Sequence, residues 1–334
     1  MKSLISLSLL LTLLTVILSA YIRLAEVGIG CDSWPSCYAQ LDTSVEGKGI
    51  TVLTEEGRDM AHYGARIAHR YIASTLGLFV VAMFVLALRQ GRSRATGLLV
   101  PTAIFAVTVF LSLLGYYTPT RSNPLITMGN LLGGMSLLGL LWWFMQREAA
   151  SEAPEPALKI SRYKSLAILA LALVAMQIVL GGWSSANYAS TQCPGLIQCQ
   201  QSELTLRTMG EAFNPFRTVE LEPGGKVVMP DYLAALALAH RLFALITAAY
   251  LAWLVRKLKP ESALAGTVLA LSIFSIGQLA LGVSMIWLQL PLLLVTLHNA
   301  FAAGLLLSSI NLLHRLTLPV KSPLPGPGHR HPPG

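Results

Sequence analysis

Charge is what this sequence has least of: Asp, Glu, Lys and Arg together make up 12% of its 334 residues, about half the share usual in a soluble domain. That shortage excludes an ordinary water-facing fold. With 54% hydrophobic residues, the expected solvent is a lipid bilayer. Cysteine is scarce as well, with four in all, which excludes a small scaffold stapled by many disulfides.

What fills the chain instead is long apolar runs. A membrane-spanning helix needs roughly 20 mostly apolar residues, and eight stretches qualify, near 4–22, 66–88, 97–117, 125–145, 165–183, 233–255, 263–286 and 291–312. The expected fold class is an all-α membrane protein with eight transmembrane helices. The first stretch has a competing reading as a cleaved signal peptide, since Lys2 precedes it and Ser19-Ala20 stands near its end. The repeat described below needs it as a structural helix.

Lys and Arg are in excess on the cytoplasmic side of membrane proteins. If the segments at Lys2, 89–94, 147–164, 256–261 and beyond 312 face the cytoplasm, that side carries 14 basic and 4 acidic residues, against 10 and 12 opposite. Both termini are then cytoplasmic. The net charge of +8 is accounted for by topology and by contact with anionic lipid, so no nucleic-acid partner is expected.

The chain also repeats itself, which decides the architecture. Ser19-Ala20-Tyr21-Ile22-Arg23 leads into the pair Cys31 and Cys37, and Gly181-Gly182-Trp183-Ser184-Ser185 leads into Cys193 and Cys199. Both pairs are spaced C-x5-C. Ala68-His69-Arg70 returns as Ala239-His240-Arg241, with offsets of 162 residues for the cysteines and 171 for the His-Arg pairs. Four helices per unit make this a parallel repeat. The expected organisation is two parallel four-helix-bundle repeats, at 1–148 and 165–315, joined by a cytoplasmic linker at 149–164 and followed by a disordered Pro-rich cytoplasmic tail at 316–334. Long loops, about 24–62 and 184–232, follow the first helix of each half, and 224–230 reads as a turn with a short extended piece.

An ionisable residue inside a span is a functional candidate, because its burial is costly without a partner. His69, His240 and His298 qualify. His240 and His298 lie about two turns from the same end of their helices, the register that axial ligation of a heme iron requires. A bond to a neighbouring side chain or carbonyl is the alternative use for either ring. Arg70 and Arg241 each follow a histidine and could pair with heme propionates or extend to lipid head groups. The cysteine pairs suit structural or redox-active disulfides, Cys31–Cys37 and Cys193–Cys199. No histidine stands near them at zinc spacing, and no Cys-x-x-Cys-His heme attachment motif occurs. The tryptophans at 142, 143, 183, 253 and 287 fall near helix ends, as interfacial belt residues do, and Trp34 lies inside the first cysteine loop.

Three runs carry a family resemblance: Tyr21-Ile22-Arg23-Leu24 with Gly28 through Tyr38, Gln177 through Ala189, and Leu297-His298-Asn299-Ala300. The chain resembles the heme A synthases over nearly its whole length. The resemblance implies a multi-pass oxidoreductase of the bacterial inner (cell) membrane that oxidises the C8 methyl of heme O to the formyl group of heme A for cytochrome oxidase. It further implies heme b as cofactor on His240 and His298 in the C-terminal half, and heme O as substrate on His69, with Arg70 beside a propionate, in the N-terminal half. Heme O synthase, oxidase assembly factors and a second copy of the chain are the partners it suggests.

Two positions depart from the family pattern. Gly129 stands where a second N-terminal ligand belongs, as alignment of Leu125 through Asn130 with Leu294 through Asn299 shows, and Arg66 stands where the family has a glutamate. Met128 and His62 are the other conceivable ligands for an iron on His69. Alternative readings are a non-catalytic heme-binding assembly factor or heme carrier, and a membrane electron-transfer cytochrome.

Overall fold

The computed structural model describes residues 1–26, 60–90, 97–116, 124–152, 161–193, 195–196, 198–199, 205–217, 220, 228 and 230–317. Its helices are α1 (Lys2–Glu26), α2 (Met60–Gln90), α3 (Leu99–Tyr116), α4 (Pro124–Glu152), α5 (Lys164–Ala186), α6 (Leu206–Ala212), α7 (Leu233–Leu258), α8 (Ala265–Trp287) and α9 (Leu292–Thr317). No strand occurs among the described residues.

A backbone in hydrocarbon must satisfy its own polar groups, which selects helix wherever the apolar runs lie. The hydroxyls inside those runs are absorbed the same way: Ser8, Thr12, Thr296, Ser308 and Ser309 each donate to the carbonyl four residues earlier. Proline marks starts, with Pro124 opening α4 and Pro291 just before α9. Among the described residues, seven helices are long and apolar enough to cross a membrane, and α3, over Leu99–Gly115, is apolar but shorter. The chain is an all-helical, multi-span membrane protein.

Helix α1 packs against α2 and α4, and α3 packs against the same two; likewise α7 and α9 each pack against both α5 and α8. The two groups meet where α9 touches α1 and α4, and where α4 touches α5. Ile5, Ser8 and Leu24 of α1 are buried in this core.

Glycines bring the helices together, since membrane helices associate by close packing. A Cβ on Gly277 would lie 2.2 Å from the Phe301 ring, and one on Gly304 would lie 2.3 Å from the Phe274 ring. The two rings contact edge to face, 5.5 Å apart. Each Phe fills the notch left by the other helix's glycine, which fixes α8 against α9.

Three elements differ from the sequence expectation. Helix α4 runs on to Glu152, so Glu148 is buried inside it. Helix α6 sits in the long loop after α5, closed at its start by reciprocal bonds between Thr205 and Thr208. Of the tryptophans, Trp253 and Trp287 are exposed as belt residues are, whereas Trp142 and Trp143 pack on the core and Trp183 is buried. The Cys31–Cys37 pair, Trp34 and the tail beyond Thr317 lie outside the described residues.

Candidate functional site

The functional candidates are best built from the two histidines of the C-terminal helices. His240 stands eight residues into α7 and His298 seven residues into α9. At about 1.5 Å rise per residue both are roughly 10 Å inside their helices. Both helices start from the end of the molecule that carries the Cys193–Cys199 loop.

Each ring is held by the helix beside it. Gln177 of α5 places its Nε2 3.1 Å from His240 Nδ1 and donates to the His240 carbonyl at 3.2 Å. One turn further along α5, Gly181 lies under the ring, where a Cβ would approach Cε1 to 2.8 Å. Gln278 of α8 places its Nε2 2.9 Å from His298 Nε2, and Gly282, again one turn on, lies under that ring with a Cβ distance of 3.3 Å to Cε1. The spacing Gln-x3-Gly thus occurs twice and does the same work twice. Sequence reasoning missed both glutamines, although a repeated polar residue in an apolar helix was the available signal.

Several polar atoms here have no partner. The buried Oε1 of Gln177, Oε1 of Gln278 and Nδ1 of His298 make no hydrogen bond, and no described residue bonds Nε2 of His240. Buried polar groups are ordinarily paired, and an orphan costs about 1–3 kcal/mol.

Arg241 is engaged elsewhere. Its guanidinium donates to the carbonyls of Cys193 at 2.9 Å, Leu196 at 3.3 Å and Gly195, so it clamps the loop closed by the Cys193–Cys199 disulfide. That disulfide agrees with the spacing expectation. The same end is covered by α6: Trp183 Nε1 donates to the Ala212 carbonyl at 2.9 Å, and Arg217 donates to Asn187 Oδ1 at 3.3 Å while lying over the Tyr232 ring. Burial there holds the Arg217 pKa below its ordinary value.

The N-terminal helices are arranged differently. His69 is half-buried on α2, Arg66 is half-buried one turn earlier, and Arg70 is exposed. Among the described residues His69 makes no hydrogen bond. The His62 side chain lies outside the description. Gly129 sits at the contact of α4 with α3, where a Cβ would come within 2.7 Å of Leu114 Cδ2 and 3.6 Å of Phe110. Leu111 covers Gly133 in the same way. Setting Gly115 against Gly282 puts Leu111 opposite Gln278, so this half lacks both the second histidine and the glutamine that would hold it. Met128 turns the other way, onto Gly182 of α5, and packs with Trp183 and Leu236.

Comparison with known proteins settles the family. Residues 2–310 match the family described as cytochrome oxidase assembly protein. The chain belongs to this family. Within it, the chain is similar to the heme A synthase of Shewanella oneidensis, at 31% identity over 92% of this chain and 94% of that one. A partial similarity, 27% identity over 43% of the chain, is to the protoheme IX farnesyltransferase of Haloarcula marismortui, of which only 28% is covered. Membership in the cytochrome oxidase assembly protein family bears out the resemblance read from the cysteine-loop and histidine runs.

Proposed function

We propose that this protein is a heme A synthase-type membrane oxidoreductase, converting the C8 methyl of heme O to the formyl group that cytochrome oxidase requires. The observation that carries the reading is the pair His240 and His298, each fixed by a glutamine on a facing helix with ring nitrogens left unpartnered. The donor set fits an iron porphyrin: two imidazoles, glycines that leave room against the helix backbone, and buried polar atoms awaiting a use. Family membership and the whole-length likeness to a heme A synthase support the reading.

In this account His240 and His298 would hold heme b, and His69 would hold the iron of heme O, with Arg70 available to pair with a propionate. The bound iron supplies the one-electron and oxygen chemistry. The protein's part is to orient the rings, through Gln177 and Gln278, and to keep water out, through the α6 cap packed on Trp183. Arg241 acts on the heme b pocket through the disulfide loop that it clamps. Arg66 is a permanent cation and does not relay protons.

The architecture belongs to the same proposal: eight spans, including α3, in two parallel four-helix repeats at 1–148 and 165–315 with a linker at 149–164, both termini on the cytoplasmic side of a bacterial cell membrane. Lipid is the surrounding partner, and heme O synthase, oxidase assembly factors and a second copy are the candidate protein partners. A second reading, a heme-binding assembly factor without oxidase activity, is favoured by one observation, the closure of the Gly129 position by Leu114 and Phe110.

Expression in cells that make heme O but lack their own heme A synthase tests the choice. Heme A in the extracted pigments is the expected result. Bound heme b with heme O left unconverted would replace the enzyme reading with the second one.

A further inference from the structure

The Gln-x3-Gly arrangement is built twice, on helices that are not repeats of one another, and each time it meets a histidine of the neighbouring helix. A glutamine inside an apolar helix is expensive unless both ends of its carboxamide are used. Here the nitrogens are used and the buried oxygens are not.

We propose that Gln177 and Gln278 are positioning residues that set the tautomer and basicity of His240 and His298, and that each carboxamide re-orients when its histidine takes an iron. This rests on the heme-ligand reading of the two histidines. In the chain as it stands, Gln177 Nε2 donates to His240 Nδ1, which leaves the proton of the neutral ring on Nε2. Ligation through Nε2 needs that proton on Nδ1 instead, one proton exchanged between the two nitrogens of the same ring. Nδ1–H then needs an acceptor, and the unpartnered Oε1 of Gln177 provides it after a half turn of the amide, which gives up the Nε2 bond to the His240 carbonyl in exchange. For His298 the carboxamide meets Nε2 itself, so Gln278 caps the coordinating nitrogen and must release it; its Oε1 and the His298 Nδ1, both buried and unpartnered, can then serve each other.

A carboxamide carries a donor and an acceptor on one rotatable group, so it suits either tautomer. Glutamate accepts only and leucine does neither. The group that holds the second nitrogen of a ligating histidine fixes its ring and tunes its donor strength, which makes these two glutamines determinants of the iron's potential.

The test uses full-length protein purified with heme, as wild type, Gln177→Glu, Gln177→Leu, Gln278→Leu, His240→Ala and His298→Ala. Heme content, the low-spin g values of the oxidised heme and its midpoint potential are measured. Gln177→Glu is expected to keep heme with a lower potential, because a carboxylate draws the Nδ1 proton and makes the ring a stronger donor. Gln177→Leu and Gln278→Leu are expected to raise the potential and spread the g values. Gln177→Glu keeps size and polarity, so it carries the test alone if the leucine variants do not fold. Unchanged potential and g values in the glutamine variants, with heme still lost in His240→Ala, would overturn the positioning role and leave the heme reading intact. Heme surviving both histidine substitutions would overturn the heme reading and this inference with it.

Discussion

Arg23 at the end of α1 donates through Nη1 to the hydroxyl of Ser185 at the end of α5, and the two residues are 162 positions apart. The same offset separates Cys31 from Cys193. Residues one sequence offset apart therefore touch, and the bond joins α1 to α5 at the end that carries the Cys193–Cys199 loop. A charged donor to a half-buried hydroxyl contributes about 1–3 kcal/mol. Ser185→Ala and Arg23→Leu are expected to lower the thermal unfolding midpoint in detergent, and the double variant to fall by less than the sum, as contacting residues do. Strict additivity would show that the contact carries no coupling.

Gly181 and Gly282 give a second prediction. A Cβ on Gly181 would stand 2.8 Å from His240 Cε1, and on Gly282 it would stand 3.3 Å from His298 Cε1. Overpacking of this kind costs about 1–3 kcal/mol. Gly181→Ala should displace the ring and lower bound heme more than Gly282→Ala, measured as heme per protein after purification. Equal retention in both would mean that the rings are not held where the helices place them.

The disulfide loop supplies a third. Closing a six-residue loop by Cys193–Cys199 is worth about 2 kcal/mol in the chain-entropy account, and Arg241 binds three of the loop's carbonyls. Cys193→Ser with Cys199→Ser, and Arg241→Gln, should each lower the unfolding midpoint. Combined, they should cost little more than either alone, since the clamp has nothing ordered to hold once the loop is open. Independent effects would release Arg241 for a partner other than the loop.

The Gly129 position allows a constructive test. Gly129→His alone meets Leu114 at once and is expected to lower stability without gaining an iron ligand. Gly129→His with Leu114→Ala makes room, and should add a second low-spin signal that depends on His69. Absence of that signal in a folded double variant would argue against His69 as a heme ligand.

The spans were legible because apolar length is a property of composition: seven of the eight expected stretches lie largely within helices long and apolar enough to cross a membrane, and the stretch near 97–117 holds the shorter helix α3. What escaped was whatever depends on contact. Gln177 and Gln278 gain a role only from their distances to His240 and His298. The clamp that Arg241 makes was not legible, because the loop it holds begins 48 residues earlier in sequence. Glu148 read as part of a charged segment facing the cytoplasm, although α4 carries it into the interior. Helix α6 is seven residues long and too short for an apolar period to announce.

The central claim is that the C-terminal pair carries the resident iron, and a reduced-minus-oxidised spectrum of the purified chain tests it most directly. The account predicts low-spin b-type bands in the wild type that persist in His69→Ala and vanish in both His240→Ala and His298→Ala. Bands that survive in His240→Ala and disappear in His69→Ala would contradict it.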